Sequence, residues 1–147
     1  MEHPITLASR SNLANTLNDQ GKHAEAEAEH RRVLAIRERV LGAEHPGTLS
    51  NRGNLANALY AQGKYAEAEA EHRAVLALRL QVLGTDHPDA FLSRYNLALS
   101  LWHQEKDWEA LEFARQAEEG RKRVLGDSHP DYLSAKRLRE RLEKKIE

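Results

Sequence analysis

Apolar residues recur at helical spacing along the chain, and the second quarter shows the pattern clearly. Leu55, Ala56 and Leu59 form an i, i+1, i+4 stripe that lies between Pro46 and Gly63. This spacing places the three side chains on one face of an α-helix. Proline suits the first helical turn, and glycine commonly follows the last one. The pattern therefore predicts a helix that begins at Pro46 and stops before Gly63.

A second, longer helix is predicted after a short turn. It runs from about Tyr65 to Leu83, and Gly84 supplies the left-handed residue that ends it. The inward-facing apolar positions expected in this helix are Ala68, Val75, Leu76, Val82 and Leu83.

The corresponding stretch from Ala24 to Glu29 alternates strictly between Ala and Glu. Such alternation is the usual pattern of a half-buried strand. Ala and Glu are strong helix formers, however, and are depleted in strands. The stretch also continues into an i, i+7, i+8 pattern at Ala26, Val33 and Leu34. We therefore predict a helix here.

The two-helix pattern repeats along the whole chain at a fixed interval. All four prolines follow a histidine, and these His-Pro dipeptides stand 42 residues apart. Repeats 1 and 2 share 28 of 42 residues, and repeats 2 and 3 share 16. Such a period predicts one tandem array of stacked helices with a polar cap. We predict an all-α fold of seven helices in a single array, 1–147, made of repeat 1 (3–44), repeat 2 (45–86), repeat 3 (87–128) and a capping helix (129–147).

The recurring residues resemble the tetratricopeptide repeat (TPR). The residues that carry the resemblance in repeat 2 are Asn54-Leu55-Ala56, Leu59, Gly63, Tyr65, Ala68 and Val82-Leu83-Gly84. The 42-residue length and the Arg-x-x-Val-Leu-Gly-x-x-His-Pro ending are similar to the kinesin light chain type and its bacterial relatives. The resemblance implies a right-handed α-solenoid of antiparallel helix pairs whose concave face, lined by the first helices, holds peptides. Repeat 3 departs from the pattern at the turn, where Glu105 replaces glycine.

Composition narrows the classes of partner and location. The chain has 22 Lys plus Arg against 23 Asp plus Glu, so it lacks the basic excess expected of a nucleic-acid binder. It has no cysteine, which excludes disulfides and thiol chemistry. It has neither a signal peptide pattern nor an apolar run long enough to span a membrane. We therefore expect a cytoplasmic protein without nucleic-acid or membrane partners, and the excess of Arg over Lys with abundant Ala indicates a bacterial source.

No catalytic, cofactor-binding or metal-binding motif is present in the sequence. We therefore predict a non-enzymatic protein without a cofactor. The histidines of the His-Pro dipeptides are expected at helix entries, and His30 and His72 are expected to be packed in the interior. Two sets of arginines recur by repeat and are expected to serve packing and ion pairs: Arg10, Arg52 and Arg94, and Arg37, Arg79 and Arg121.

Candidate binding residues follow from the groove that the resemblance implies. Carried over position by position onto the first helices, they are Asn15, Asn57, Tyr60, Leu92, Tyr95, Leu99 and Trp102. The first helix of repeat 3 has two apolar stripes, since Leu92, Tyr95, Leu99 and Trp102 lie well away from the Leu97 side. Exposed aromatic stripes of this kind often mark interaction sites. The leading hypothesis is therefore a module that binds a peptide or protein segment.

Several alternatives remain open at the level of the sequence. It is equally expected that part of the second stripe is buried, either by the capping helix through Leu138, Leu142 and Ile146 or by contacts between adjacent first helices. The recurring Asn12, Asn54 and Asn96 either read a peptide backbone or satisfy backbone groups between helices. The alternative function is self-assembly, either as a dimer through the stripe of repeat 3 or by end-to-end stacking through repeat 1. The abrupt start, with only Met1-Glu2 before the first repeat, is also expected of a piece of a longer array or of an engineered chain.

Overall fold

The computed structural model describes the backbone of residues 4–147 and the side chains from Leu7 onward. Over this part of the chain the structure contains seven α-helices and no strand, as predicted. The first helices of the three pairs are α1 (Pro4–Asp19), α3 (Pro46–Ala61) and α5 (Pro88–Trp102). The second helices are α2 (His23–Leu41), α4 (Tyr65–Leu83) and α6 (Asp107–Leu125), and α7 (Pro130–Ile146) follows them. The alternating Ala-Glu stretch is helical, because it lies within α2.

The histidine of each described His-Pro dipeptide caps the helix that follows. Nδ1 of His45, His87 and His129 accepts a hydrogen bond from the amide two residues on, at 3.0, 3.0 and 3.1 Å. The cap satisfies one of the first amides of the helix, which have no partner within the helix. The predicted structural role at the helix entry is confirmed for these three histidines, whereas His3 lies outside the described residues.

The turn inside each pair is closed by the same hydrogen bond in all three repeats, from a lysine amide to a leucine carbonyl. In repeat 2, Gly63 adopts a φ of +79°, and the next amide, that of Lys64, donates to the Leu59 carbonyl at 2.9 Å. In repeat 3, Glu105 adopts a φ of 61°, and Lys106 donates to the Leu101 carbonyl at 3.0 Å. The turn therefore survives the loss of glycine, but a residue with a side chain occupies the left-handed region.

The chain forms two compact units, residues 1–71 and 72–147. In the first unit, α2 packs against both α1 and α3. Leu55, Leu59 and Ala68 form a buried cluster. Buried Asn51 donates through Nδ2 to the His30 carbonyl at 3.0 Å, which joins α3 to α2.

In the second unit, α6 packs against both α5 and α7. Its core is a cluster of buried side chains from α4 to α7: Leu76, Ala90, Leu97, Ala98, Leu101, Ala110, Leu111, Ala114, Leu138 and Leu142. Leu97, Ala98 and Leu101 have no exposed surface, which confirms the first apolar stripe of α5. The structure thus places the capping helix α7 directly on the core, because Leu138 and Leu142 belong to the cluster.

One prediction about the interior is wrong. Ala68, Val75 and Leu76 are buried, but Val82 is 46% exposed and Leu83 is 36% exposed. Both lie in the last turn of α4, and the matching Val40 and Val124 are exposed too. The second helices have 19 residues each, against 15 or 16 for the first helices, so their last turn extends beyond the neighbouring helix.

Candidate functional site

The second apolar stripe of α5 lines a pocket against α7. Tyr95, Leu99 and Trp102 are half-buried and pack at the edge of the second unit's core, as does Ile146. The pocket has a volume of about 120 Å³, and its lining residues are Tyr95, Leu99, Trp102, Ser134, Arg137, Leu138 and Arg141. The capping helix therefore covers part of the stripe and leaves a cleft beside it. We call this cleft the α5–α7 pocket.

Leu92 differs from the other three members of the stripe. It lies on α5, three residues before Tyr95, and is 41% exposed. It is not among the residues that line the α5–α7 pocket. The structure therefore brings Tyr95, Leu99 and Trp102 together around one cleft and leaves Leu92 on the open surface of the helix.

Cations fix the two aromatic rings of the pocket. The guanidinium carbon of Arg121 lies 4.8 Å from the centre of the Tyr95 ring, and Nζ of Lys145 lies 5.9 Å from the Trp102 ring. These distances are typical of cation–π interactions. Arg121 is almost fully buried and donates to the Asp131 carbonyl at 2.9 Å, and its burial lowers its pKa. Lys145 also pairs with Asp107 at 2.9 Å. Each ring therefore has a cation from the chain itself at its face.

The rim of the α5–α7 pocket is positively charged. Arg137 and Arg141 are exposed, and the described residues that line the pocket include no carboxylate. Arg137 donates only a long hydrogen bond, 3.4 Å, to Ser134 Oγ, and Arg141 has no partner among the described residues. Apolar walls under unpaired guanidinium groups suit a ligand that carries both an apolar side chain and a carboxylate.

Sequence reasoning missed these two arginines. The sequence of α7 indicates only a polar cap, because the pattern of one helix does not show what the neighbouring helix leaves uncovered. In the sequence, neither arginine has an Asp or Glu four residues away along the helix, so neither has an i, i+4 partner, and this is the signal that could have identified them. Arg139, by contrast, pairs with Glu143 at 2.9 Å in an i, i+4 pair and with Glu118 at 2.8 Å.

The predicted site residues of the first unit occupy different environments. Asn15 is half-buried on α1, and Asn57 is exposed on α3. Tyr60 is half-buried and meets the ring of Tyr65 edge to face, with centroids 5.2 Å apart. Side chains of the recurring Asn12, Asn54 and Asn96 make no hydrogen bond to any described residue, so in the described part of the chain they do not tie helices together.

His30 and His72 are packed inside the array, as predicted. They are 1% and 2% exposed. Burial lowers the pKa of His72 to about 4, with a further contribution from the charge of Arg79. Burial also lowers the pKa of His30. Both imidazoles are therefore neutral at pH 7 and serve as interior side chains.

The recurring arginines have a positional role. Arg37, Arg79 and Arg121 each donate to the backbone carbonyl ten residues ahead, at 3.0, 3.2 and 2.9 Å. These carbonyls belong to the first turn of the next helix, so each arginine fixes the start of that helix. Arg10 and Arg52 instead pair with Glu29 and Glu71 within their own repeats, at 2.6 and 2.9 Å.

In residues 4–147, no three His, Asp or Glu side chains approach one another closely enough to hold a metal ion. Over the same range, no helix has the length and apolar character needed to cross a membrane.

Comparison with known proteins identifies the repeat. The tetratricopeptide repeat model matches residues 5–79 and again 51–123. Solved structures that match include the nearly identical TPR-like repeats of a Podosopora anserina protein assigned as a kinesin light chain, with 30% identity over 97% of this chain and 67% of that one and a TM-score of 0.88. Matching the curated proteins gives no relative of significant similarity.

Two further solved structures share the fold at lower identity. BtubC from P. vanneervenii is 20% identical over 89% of this chain and 52% of that one, with a TM-score of 0.76. The translocator chaperone SycD of the Yersinia enterocolitica type III secretion system is 16% identical over 99% and 89%, with a TM-score of 0.74. With three 42-residue helix pairs, a model match over most of its length and these neighbours, the chain belongs to the tetratricopeptide repeat family, in the form found in kinesin light chain-like repeat proteins.

Proposed function

We propose that this chain is a non-enzymatic protein-interaction module and that its second unit binds a protein segment in the α5–α7 pocket. One observation carries the proposal. Tyr95, Leu99 and Trp102 surround a cleft whose rim holds two guanidinium groups and, among the described lining residues, no carboxylate. Tyr, Trp and Arg are the residue types that dominate the free energy of protein association.

The chemistry of the cleft defines the segment. A volume of about 120 Å³ admits one apolar side chain, so we expect a single anchor residue to enter between Leu99 and Trp102. Carboxylates next to that anchor would pair with Arg137 and Arg141. Such pairs are charge-assisted and favour an acidic segment over a basic one.

Other parts of the sequence-based prediction belong to the same proposal. Asn15, Asn57 and Tyr60 are proposed as further contacts for a bound segment, and Leu92 as a contact on the open face of α5. A cytoplasmic location, a bacterial source and the absence of catalysis are proposed from the cysteine-free composition, the excess of Arg over Lys and the lack of catalytic motifs.

The test is selection of ligands with a phage-displayed library of random peptides, panned against the full chain. Enriched peptides are expected to carry an aromatic or aliphatic anchor beside Asp or Glu. Their affinity should fall more than tenfold for Trp102→Ala and for the charge reversal Arg141→Glu. Because Trp102 touches the core, Arg141→Glu provides the exposed substitution that leaves packing intact.

Trp108→Ala is the matched control. Trp108 is 71% exposed at the start of α6 and does not line the α5–α7 pocket, so its removal should leave affinity unchanged. If the selected peptides bind the wild type, Trp102→Ala and Arg141→Glu equally well, the proposed site is wrong.

Self-assembly is a second candidate, favoured by one observation on α1. Leu13 is 53% exposed, whereas the matching residues of the later repeats, Leu55 and Leu97, are 1% and 0% exposed. Ser9 and Thr16 are its neighbours on α1 and are exposed and uncharged, whereas Arg10, on the same face, pairs with Glu29. Because the charge of Arg10 is paired within the chain, this face can meet its own copy with little like-charge repulsion, as an isologous dimer requires.

Light scattering across a wide concentration range tests this candidate. Pairing through α1 predicts a dimer that Leu13→Glu dissociates and that Tyr95→Ala with Trp102→Ala leaves intact. A dimer that only the second pair of substitutions dissociates would place self-association on the stripe of α5 instead, and a monomer at every concentration would exclude both arrangements.

A further inference from the structure

A second pocket lies in the second unit and shares no lining residue with the α5–α7 pocket. Its volume is about 210 Å³. The lining residues are Thr85, Asp86, Phe91, Arg94, Gln116, Glu119, Gly120 and Arg123. They come from the loop before α5, the first half of α5 and the second half of α6. We call this the Phe91 pocket.

The residue at position 120 opens this pocket. In repeats 1 and 2 the same position holds Ile36 and Leu78, whereas repeat 3 has Gly120. The Phe91 ring occupies part of the vacated space, since a Cβ on Gly120 would lie 2.2 Å from Cε1 of Phe91. The ring is 1% exposed and Gly120 is buried, so together they close the bottom of the pocket, and the space above them forms the pocket.

Arg94, on the wall of the pocket, lacks the carboxylate partner that the matching arginines of repeats 1 and 2 have. Arg10 pairs with Glu29 and Arg52 pairs with Glu71. The corresponding residue in repeat 3 is Phe113, which cannot accept a hydrogen bond. Among the described residues, no carboxylate lies within ion-pair distance of Arg94.

The contacts that Arg94 does make compensate its charge poorly. Its single hydrogen bond, to the Thr85 carbonyl, is 3.3 Å long. Burial lowers the pKa of Arg94, and the charge of Asp86 only partly opposes this. Asp86 itself pairs with Arg123, which also lies 4.0 Å from Glu119. Arg123 thus contacts both carboxylates of the lining, and Arg94 makes no ion pair of its own, so its charge is balanced only at longer range.

We propose that the Phe91 pocket binds a small carboxylate with a compact aliphatic body. The carboxylate takes the place at Arg94 that glutamate holds in repeats 1 and 2, and the aliphatic body fills the rest of the pocket against the carbon stems of Gln116 and Arg123, above the buried Phe91 ring. A guanidinium binds a carboxylate through two parallel hydrogen bonds, which fixes the orientation of the ligand. This site is independent of the proposed protein-binding surface.

Isovalerate is the probe, because it combines a carboxylate with a branched chain of four carbons. It would be titrated into the full chain at constant ionic strength while amide shifts are recorded by NMR. We expect saturable shifts at Phe91, Arg94 and Gly120, with a dissociation constant on the order of 1 mM for so few ligand atoms. Isoamylamine, which has the same number of carbons but carries CH2–NH3+ in place of the carboxylate, should cause no saturable shift.

Three variants test the two halves of the site. Arg94→Gln removes the charge, and Phe113→Glu restores the internal carboxylate partner found in repeats 1 and 2. Phe91→Leu with Gly120→Leu restores both residues of repeat 2 and fills the pocket. Each change should weaken isovalerate binding at least tenfold, and circular dichroism checks that each variant is folded.

Arg52→Gln is the matched control, because Arg52 occupies the same position in repeat 2 and already has Glu71. It should bind isovalerate as the wild type does. The proposal fails if isovalerate gives no saturable shift, if isoamylamine binds equally well, or if Arg94→Gln retains wild-type affinity. Arg94→Gln decides the matter should the double variant not fold.

Discussion

Phe91 and Gly120 face each other between α5 and α6, and the Phe91 ring fills the space that a side chain at position 120 would need. A Cβ at Gly120 would lie 2.2 Å from Cε1 and 2.6 Å from Cδ1 of the Phe91 ring. Repeat 2 has Leu49 and Leu78 at the same two positions, so repeat 3 has enlarged one side chain and removed the other. Because the ring is 1% exposed, it cannot move aside without disturbing the core.

Gly120→Ala should therefore destabilise the protein, although alanine is the better helix former. Overpacking of this kind costs roughly 1 to 3 kcal/mol, which exceeds the gain of about 1 kcal/mol in helix propensity. Urea denaturation measures the difference. Gly53→Ala is the control within α3, since a Cβ there meets nothing within 4 Å, and it should stabilise by about 0.5 to 1 kcal/mol. Equal effects of the two substitutions would contradict the steric argument.

Glu105→Gly should stabilise the protein. Glu105 has a φ of 61°, a conformation that costs a residue with a side chain roughly 1 to 2 kcal/mol. Glycine removes that strain. It also gives the unfolded chain more conformational freedom, which lowers the free energy of unfolding by about 0.4 to 1 kcal/mol. The net gain expected in the free energy of unfolding is about 0.5 to 1 kcal/mol, measured by thermal or urea denaturation. The reverse change in repeat 2, Gly63→Glu, should destabilise by a similar amount, and a neutral result for both would show that the turn is unstrained.

The sequence predicts the helices well because each boundary has its own local chemistry. His87-Pro88 starts α5 through a cap and a fixed φ, and the turn before α6 keeps its hydrogen bonds even with Glu105 in place of glycine. These features are encoded within a few neighbouring residues. A fixed period of 42 residues then extends one correct interpretation to the whole chain.

The sequence predicts the candidate site less completely, since a cleft depends on what two helices leave uncovered. The apolar pattern of α5 predicts its aromatic stripe, but it does not predict that Arg141 of α7 lines the same pocket. Likewise, Val82 fits the inward pattern of its helix and is nevertheless exposed. The burial of side chains in the last turn depends on the length of the helix and not on the periodicity of its apolar residues. The Phe91 pocket depends on the contact between Phe91 and Gly120, which lie on two different helices and which the pattern of either helix alone does not predict.

Leu13 and Leu55 should respond differently to the same substitution. They hold the same position in repeats 1 and 2, but Leu13 is 53% exposed and Leu55 is 1% exposed. Leu55→Ala creates a cavity and should cost roughly 2 to 5 kcal/mol, whereas Leu13→Ala should cost less than about 1 kcal/mol in the monomer. Urea denaturation at low protein concentration measures both. A large loss for Leu13→Ala that appears only at high concentration would indicate pairing through α1.

Acid should destabilise the protein through His72 in a predictable pH window. Burial, aided by the charge of Arg79, lowers the pKa of His72 from 6.5 to about 4. Between these values the unfolded chain binds a proton at this site and the folded chain does not. Stability is therefore complete above about pH 6.5 and falls progressively toward pH 4, where the loss from this residue reaches about 3 kcal/mol.

The free energy of unfolding should be measured in urea at pH 7 and at pH 4 for the wild type and for His72→Phe. Phenylalanine fills a similar volume without a titrating group, so the variant should lose about 3 kcal/mol less than the wild type over this interval. His30, whose pKa burial also lowers, contributes to both proteins and cancels in the comparison. Burial raises the pKa of Glu27, but its hydrogen bonds to Gln62, Arg31 and Lys64 outweigh this effect and lower the pKa to about 2. Such paired carboxylates contribute equally to both proteins, so their effect cancels in the same way. Equal losses in the two proteins would mean that His72 is protonated in the folded state and that its burial does not control the acid response.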